Sequence, residues 1–186
     1  MPTKVEVPKK ATPTDDKKPA RSHQVKLEIK ATKDEQFWVG WTWDAKKPQY
    51  LVICNYPSNE NEFQLDVTKM LVINHILGAG GGGVMVGNLF SKFMQKPTEH
   101  AMAVANTELG IKELVLAAQQ ADKVIIGTGA ITDKSKVADA RLNVLIDEMK
   151  AGGIKEVQAI VNPKTKSWAH PLSLQGQQWG LINVTL

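Results

Sequence analysis

Tyr50-Leu51-Val52-Ile53-Cys54-Asn55-Tyr56-Pro57-Ser58 is the stretch that decides the fold. Its first five residues are apolar without a polar alternation. A strand of that kind is covered on both faces, as in a parallel sheet. Asn55 breaks the run, and Pro57 has no amide hydrogen to continue a ladder, so the chain must turn out there. A half-exposed strand would alternate; this one does not.

The same grammar repeats downstream. Gly83-Val84-Met85-Val86-Gly87, Val124-Ile125-Ile126-Gly127 and Glu156-Val157-Gln158-Ala159-Ile160-Val161 read as further buried strands. Helical stripes lie between them. Asp66 is placed as an N-cap for Val67, Met70, Leu71 and Asn74, with Gly78 set to end that helix. Ile111, Leu114, Val115 and Ala118 mark a helix from about 107 to 121. Val137, Ala140, Arg141, Val144, Leu145 and Glu148 mark another, closed by Gly152-Gly153. Strands separated by single helices need parallel pairing with right-handed crossovers. The expected class is therefore α/β, a three-layer sandwich around a mainly parallel four-stranded sheet.

Upstream, Val25, Leu27 and Ile29 alternate with Lys26, Glu28 and Lys30, the period of a half-buried strand. Phe37 to Trp43 follows as an aromatic strand, giving an N-terminal antiparallel strand pair. The ending, Trp179 to Leu186, reads as one more strand or an extended cover. Residues 1–23 mix Pro, Lys, Thr and Asp with little apolar periodicity and are expected to be a disordered basic tail. Residues 24–186 are expected to form one domain. No internal repeat is evident.

The 186 residues carry a formal charge of +4, and that excess sits within residues 1–30; the remainder balances to zero. A basic tail attracts nucleic acid or another anionic surface, or simply keeps the chain soluble. The single cysteine, Cys54, rules out an intramolecular disulfide and leaves a cysteine-based metal site without partners. No apolar run is long enough for a membrane helix, and the opening residues lack the apolar core of a signal peptide. The expectation is a cytoplasmic protein with no metal, no cofactor and no membrane partner.

In open α/β sheets, ligands collect beyond the carboxyl ends of the strands, near a switch in strand order. That rule selects the strand exits. Asn55 stands at the first, with Pro57 and Ser58 behind it; it either holds a water or ligand hydroxyl or caps its own turn. Asp66 caps a helix, and doubles as a base if the loop returns over the pocket. Asn88 follows the second strand, where its amide reads a base edge bidentately or ties two strand ends together. Phe90 or Phe93 then stacks on a ring or fills the core. The last exit carries His170-Pro171-Leu172-Ser173, a histidine with a following proline to fix its backbone and a side chain able to work near neutral pH. His23, His75 and His100 have no such placement.

Other signals carry less. Gly80 to Gly83 precedes a strand and lacks the Lys-Ser/Thr of a phosphate loop. Gly127-Thr128-Gly129 lacks the third glycine of a dinucleotide fingerprint. Cys54, at the end of a buried strand, is expected to be inert. Trp38, Trp41 and Trp43 are expected to pack in the core and at its rim.

Asn-x-Pro-Ser after an apolar strand, Asp-x-Thr opening the next helix, Asn-Leu-Phe after the second strand and a late His-Pro-Leu together resemble an uncharacterised bacterial and phage domain family, over roughly residues 35–175. Members usually read Asn-Pro-Ser, whereas Tyr56 is inserted here, and they carry Trp-Gly where this chain has Gly127-Thr128-Gly129. More distantly, the layout is similar to the uracil-DNA glycosylase superfamily. That likeness implies a water-positioning role for Asn55, a base-reading role for Asn88 and a donor to the leaving base at His170. Pro57, Ser58, Phe90 and Ser173 would complete the substrate contacts, and Asp66 would assist the water.

The resulting expectation is a glycosylase-like hydrolase that cleaves an N-glycosidic bond in DNA or a nucleotide. The alternative is a non-catalytic nucleotide- or nucleic-acid-binding module of the same fold. A third possibility, an interaction protein without a small ligand, would show a collapsed crevice and a large apolar patch.

Overall fold

A computed structural model describes residues 23–58, 64–174 and 178–186. The expected tail, except for His23, and part of the loop after Ser58 lie outside the described residues.

All the expected strands form, and they share one mixed sheet. The strands are β1 (Lys26–Ala31), β2 (Gln36–Thr42), β3 (Gln49–Cys54), β4 (Gly83–Asn88), β5 (Lys123–Ile126), β6 (Val157–Val161) and β7 (Gly180–Val184). Their order is β1-β2-β4-β3-β5-β6-β7. The four strands β4, β3, β5 and β6 run parallel at the centre. They are not the whole sheet, which has seven strands among the described residues. The β1–β2 hairpin extends it antiparallel along β4, and β7 returns antiparallel along β6.

The helices are α1 (Val67–Gly78), α2 (Glu99–Val104), α3 (Glu108–Gln120), α4 (Ile131–Lys134) and α5 (Lys136–Ala151). Their starts follow from short polar side chains. Asp66, Thr98, Thr107 and Ser135 each accept a hydrogen bond from the amide three residues on, satisfying a donor that the helix itself leaves orphaned. The α1 helix runs through Gly78, and the chain turns after it at Gly80. Neither α2 nor α4 was expected: six and four residues are too few to show a helical period.

The continuous apolar character of β3 is explained by its two covered faces. Tyr50 and Val52 pack with Val72 and Ile76 of α1, together with Val84, Val86, Ile125 and Ile160. Leu51 and Ile53 pack with Leu114 and Ala118 of α3 and Leu142, Leu145 and Met149 of α5. Leu51, Val52 and Ile53 are wholly buried, and each such side chain contributes about 1.5–3 kcal/mol by leaving water. On α5 the buried stripe is Ala138, Arg141, Leu142, Leu145 and Met149. Val144, expected on that stripe, is half exposed. Trp38, Trp41 and Trp43 are partly buried against the two cores, and Trp43 Nε1 donates to the Gly81 carbonyl at 2.9 Å. The Gly80–Gly83 run thus serves the amino end of β4, where Gly82 O also accepts from the Trp43 and Asp44 amides. Among the described residues no helix is long and apolar enough to cross a membrane.

Candidate functional site

Chain order around β3 creates the crevice. After β3 the chain passes through α1 to β4 on one side, then crosses over to β5 on the other. The segment leaving β3 leads to α1 on one face of the sheet and the segment leaving β4 leads to α3 on the other, so the two part at the carboxyl ends and a hollow is left between them. One cavity, of about 320 Å³, is lined by Asn55, Tyr56, Pro57 and Ser58 from the β3 exit. Asp66, Thr68 and Lys69 at the start of α1 and Asn88 at the end of β4 join them. His170 and Leu172, from the loop after β6, close it. Five polar residues named from the sequence, Asn55, Ser58, Asp66, Asn88 and His170, therefore face one hollow together with Pro57. Phe90 and Ser173 do not line it.

The β3 and β4 exits are laced together. Leu89 N donates to Cys54 O at 2.9 Å and Phe90 N to Asn55 O at 2.8 Å. These bonds extend the parallel pairing past the strands and fix Asn55 in place. The Asn55 side-chain oxygen is buried with no hydrogen-bond partner among the described residues. A buried acceptor left unpaired costs about 1–3 kcal/mol, so its position calls for a donor from water or ligand. Asn88 is nearly buried, and its amide nitrogen donates to the Gln36 carbonyl at 2.9 Å. It thus ties β4 to β2 while lining the hollow. Its side-chain oxygen and second amide hydrogen are separate from that bond.

Asp66 performs its capping role: one carboxylate oxygen accepts from Lys69 N at 2.8 Å. The other accepts from Ser58 Oγ and lies 3.3 Å from the Lys69 ammonium. Burial pushes its pKa up, but the bonds from Ser58 and the Lys69 amide and the Lys69 charge outweigh burial, and the net shift is below the ordinary carboxylate value. The group is a carboxylate at neutral pH.

His170 is delivered by a tight return after β6. Asn162 Oδ1 accepts from Lys164 N and Thr165 N, and Ala169 N then donates back to Ile160 O at 2.9 Å. Pro171–Leu174 forms a 3-10 turn. Within it, Leu172 N donates to His170 Nδ1 at 3.2 Å. Ser173 Oγ accepts from His170 N and donates to His170 O. Ser173 thus holds the backbone of the histidine and is not part of the lining. Burial lowers the imidazole pKa to about 4, against the opposing charge of Asp66. The ring is neutral at pH 7, and with Nδ1 accepting, its proton sits on Nε2.

Gly127-Thr128-Gly129 finds its use here. Gly129 has φ +63, and a Cβ on it would stand 2.7 Å from His170 N and 2.9 Å from His170 Cβ. The Gly-x-Gly after β5 is a seat for the histidine loop. Phe90 is fully buried in the core with the Arg141 guanidinium 5.4 Å over its ring, so it does not reach the hollow to stack on a ligand. Cys54 lines the hollow but is almost wholly buried, and burial followed by the charge of Asp66 pushes its thiol up to about 12. It is no nucleophile at neutral pH.

Sequence reasoning missed Arg141. Its Nε donates to the Leu89 carbonyl and its Nη1 to Asn106 Oδ1 and Thr107 O. It braces the segment after Asn88 from behind. The available signal was a charged residue in the middle of a largely apolar helical stripe. Among the described residues no group of three His, Cys, Asp or Glu is arranged to hold a metal ion.

A family model described as a protein of unknown function (DUF1643) matches residues 36–172, well over half of the chain. No curated protein and no solved structure matches it.

Proposed function

The chain belongs to the DUF1643 family, and on that premise we propose that it is a glycosylase-like hydrolase acting on a base in DNA or in a nucleotide. The uracil-DNA glycosylase likeness, its three-layer sandwich and a cytoplasmic setting belong to the same proposal. The observation that carries it is the pairing of an unpartnered buried acceptor, Asn55 Oδ1, with a neutral imidazole donor, His170, across one cavity.

Asn55 Oδ1 would accept a hydrogen bond from a water and aim its oxygen at the sugar carbon. As that oxygen bonds to the carbon, the bond to the base nitrogen breaks and its electron pair leaves with the base. His170 Nε2–H would stabilise the charge on the departing base, and the Asp66 carboxylate would receive the proton the water loses. The products are a sugar bearing a new hydroxyl and the base, released as its anion and then protonated from solvent, to which Asp66 returns the proton it received. A preorganised donor of this kind is typically worth about 10²–10³ in rate, and being neutral it stabilises the leaving anion without first losing its proton. Asn88, with Tyr56 in the same lining, would read the base. The substrate base must be unstacked, since a glycosidic bond inside a duplex is out of reach.

Base release from oligonucleotides containing uracil or modified pyrimidines tests this reading. His170→Ala should lower the rate by about two to three orders of magnitude. If no base or nucleoside is cleaved by the native chain, the reading is wrong.

A second reading is supported by Asp66 itself. Its three local partners make it a weak base, which suits a binding module of the same fold that holds a nucleotide or nucleic acid without turnover. Saturable, salt-sensitive binding with no base release is its signature.

A further inference from the structure

We infer that the cleft adjoining the cavity across Pro57 takes the nucleotide next to the one whose base enters the cavity, so that the ligand is a single polynucleotide strand and not a free nucleoside. The inference deepens the glycosylase reading and rests on it for the contents of the cavity.

The cleft measures about 490 Å³ and lies between the β1–β2 turn and the segment after Asn88. Pro57 borders both hollows. Gln36 borders the cleft and holds Asn88 through its carbonyl, so the walls of the two hollows are one hydrogen-bonded unit. A ligand leaving the cavity past Pro57 runs into this cleft.

Its lining has two features that suit a single strand, an exposed aromatic and a pair of lysines. Phe93 is 47 % exposed, unlike its buried neighbour Phe90, and offers a ring face to an unstacked base. Lys33 and Lys92 are present with Asp34 and Glu35. Those four formal charges cancel, but Glu35 accepts from Ser91 Oγ at 3.0 Å and its charge acts on the buried Arg141 guanidinium behind it. With Glu35 held by Ser91 and by the charge of Arg141, Lys33 and Lys92 are the cations of the lining available to a phosphate. A duplex would not present an open base to Phe93; an unpaired strand does.

The test uses the full chain, a fluorescein-labelled oligothymidylate of about ten nucleotides and fluorescence anisotropy over a series of salt concentrations. Phe93→Ala should weaken binding about tenfold, the loss of one stacked base. Lys33→Ala with Lys92→Ala should flatten the log–log salt slope by about 1.4, the loss of two single-strand phosphate contacts. All three side chains are outside the core, and urea unfolding of each variant checks that the fold is kept. The inference is overturned if the oligonucleotide does not bind, or if these substitutions leave binding unchanged, as they would were the basic N-terminal stretch alone responsible. Base release read in parallel separates the two ideas. Cleft-dependent binding without base release sinks the glycosylase reading and keeps the cleft. Base release with unchanged kinetics in Phe93→Ala does the reverse.

Discussion

Acidification from about pH 8 to about pH 4.5 should destabilise the chain through His170, and His170→Asn should abolish that part of the loss. Burial lowers the imidazole pKa from its ordinary 6.5 to about 4. Above 6.5 the ring is neutral in the folded and the unfolded chain alike and contributes no pH dependence. Between 6.5 and about 4 the unfolded chain takes up a proton that the folded chain refuses. Stability therefore falls as the pH drops through this window and levels off below the folded value. At about 1.4 kcal/mol per unit, the gap amounts to roughly 3 kcal/mol. Asp66 is held below the ordinary carboxylate value, so its stabilising contribution is lost at lower pH, as the folded group is itself protonated. Urea midpoints at constant slope, measured across the window for both chains, give the difference directly. Parallel curves for native chain and variant would refute the burial argument and, with it, the neutral donor in the cavity.

Three further outcomes follow from contacts already described. Gly129→Ala should lose roughly 2–4 kcal/mol of stability, combining a left-handed backbone with a clash on His170. Gly153→Ala, also at positive φ but with nothing within 4 Å, should lose only the conformational part, so equal losses in urea unfolding would deny the seat. Arg141→Leu should cost about 3 kcal/mol by leaving the Leu89 carbonyl and Asn106 without their donor; a loss within about 0.5 kcal/mol, the usual surface range, would show the brace to be dispensable. Cys54 should resist a thiol reagent until the chain unfolds, and rapid labelling of the native protein would contradict its burial.

How legible the molecule was in sequence depended on how much contrast each element carries. The apolar run 50–54 announced a doubly covered strand because both faces demand the same chemistry. Asp66 and Gly129 show the limits in opposite directions. The cap at Asp66 was readable from spacing alone, whereas the Gly-x-Gly after β5 was weighed as a nucleotide signal when its job is to admit another loop. The buried stripe of α5 was mistaken by a position because Ala138 and Ala140 look alike to a periodicity argument. Phe90 and Phe93 are likewise indistinguishable until packing sends one into the core and leaves the other out. The strand-exit rule gathered Asn55, Asn88 and His170 because it depends only on topology. The tautomer of His170 was beyond it, since that rests on a backbone amide two residues away.

The two outermost strands leave the sheet with unlike margins. A margin strand offers unsatisfied peptide groups to any other chain, and charged side chains are the usual deterrent. Along β1, Lys26, Glu28 and Lys30 supply that deterrent. Along β7, Gly180-Leu181-Ile182-Asn183-Val184 has no charge, and Leu181 and Ile182 stand open to water. Under crowding or partial unfolding, self-association of this molecule would begin at the β7 side, where Ile182→Lys would be the simplest guard.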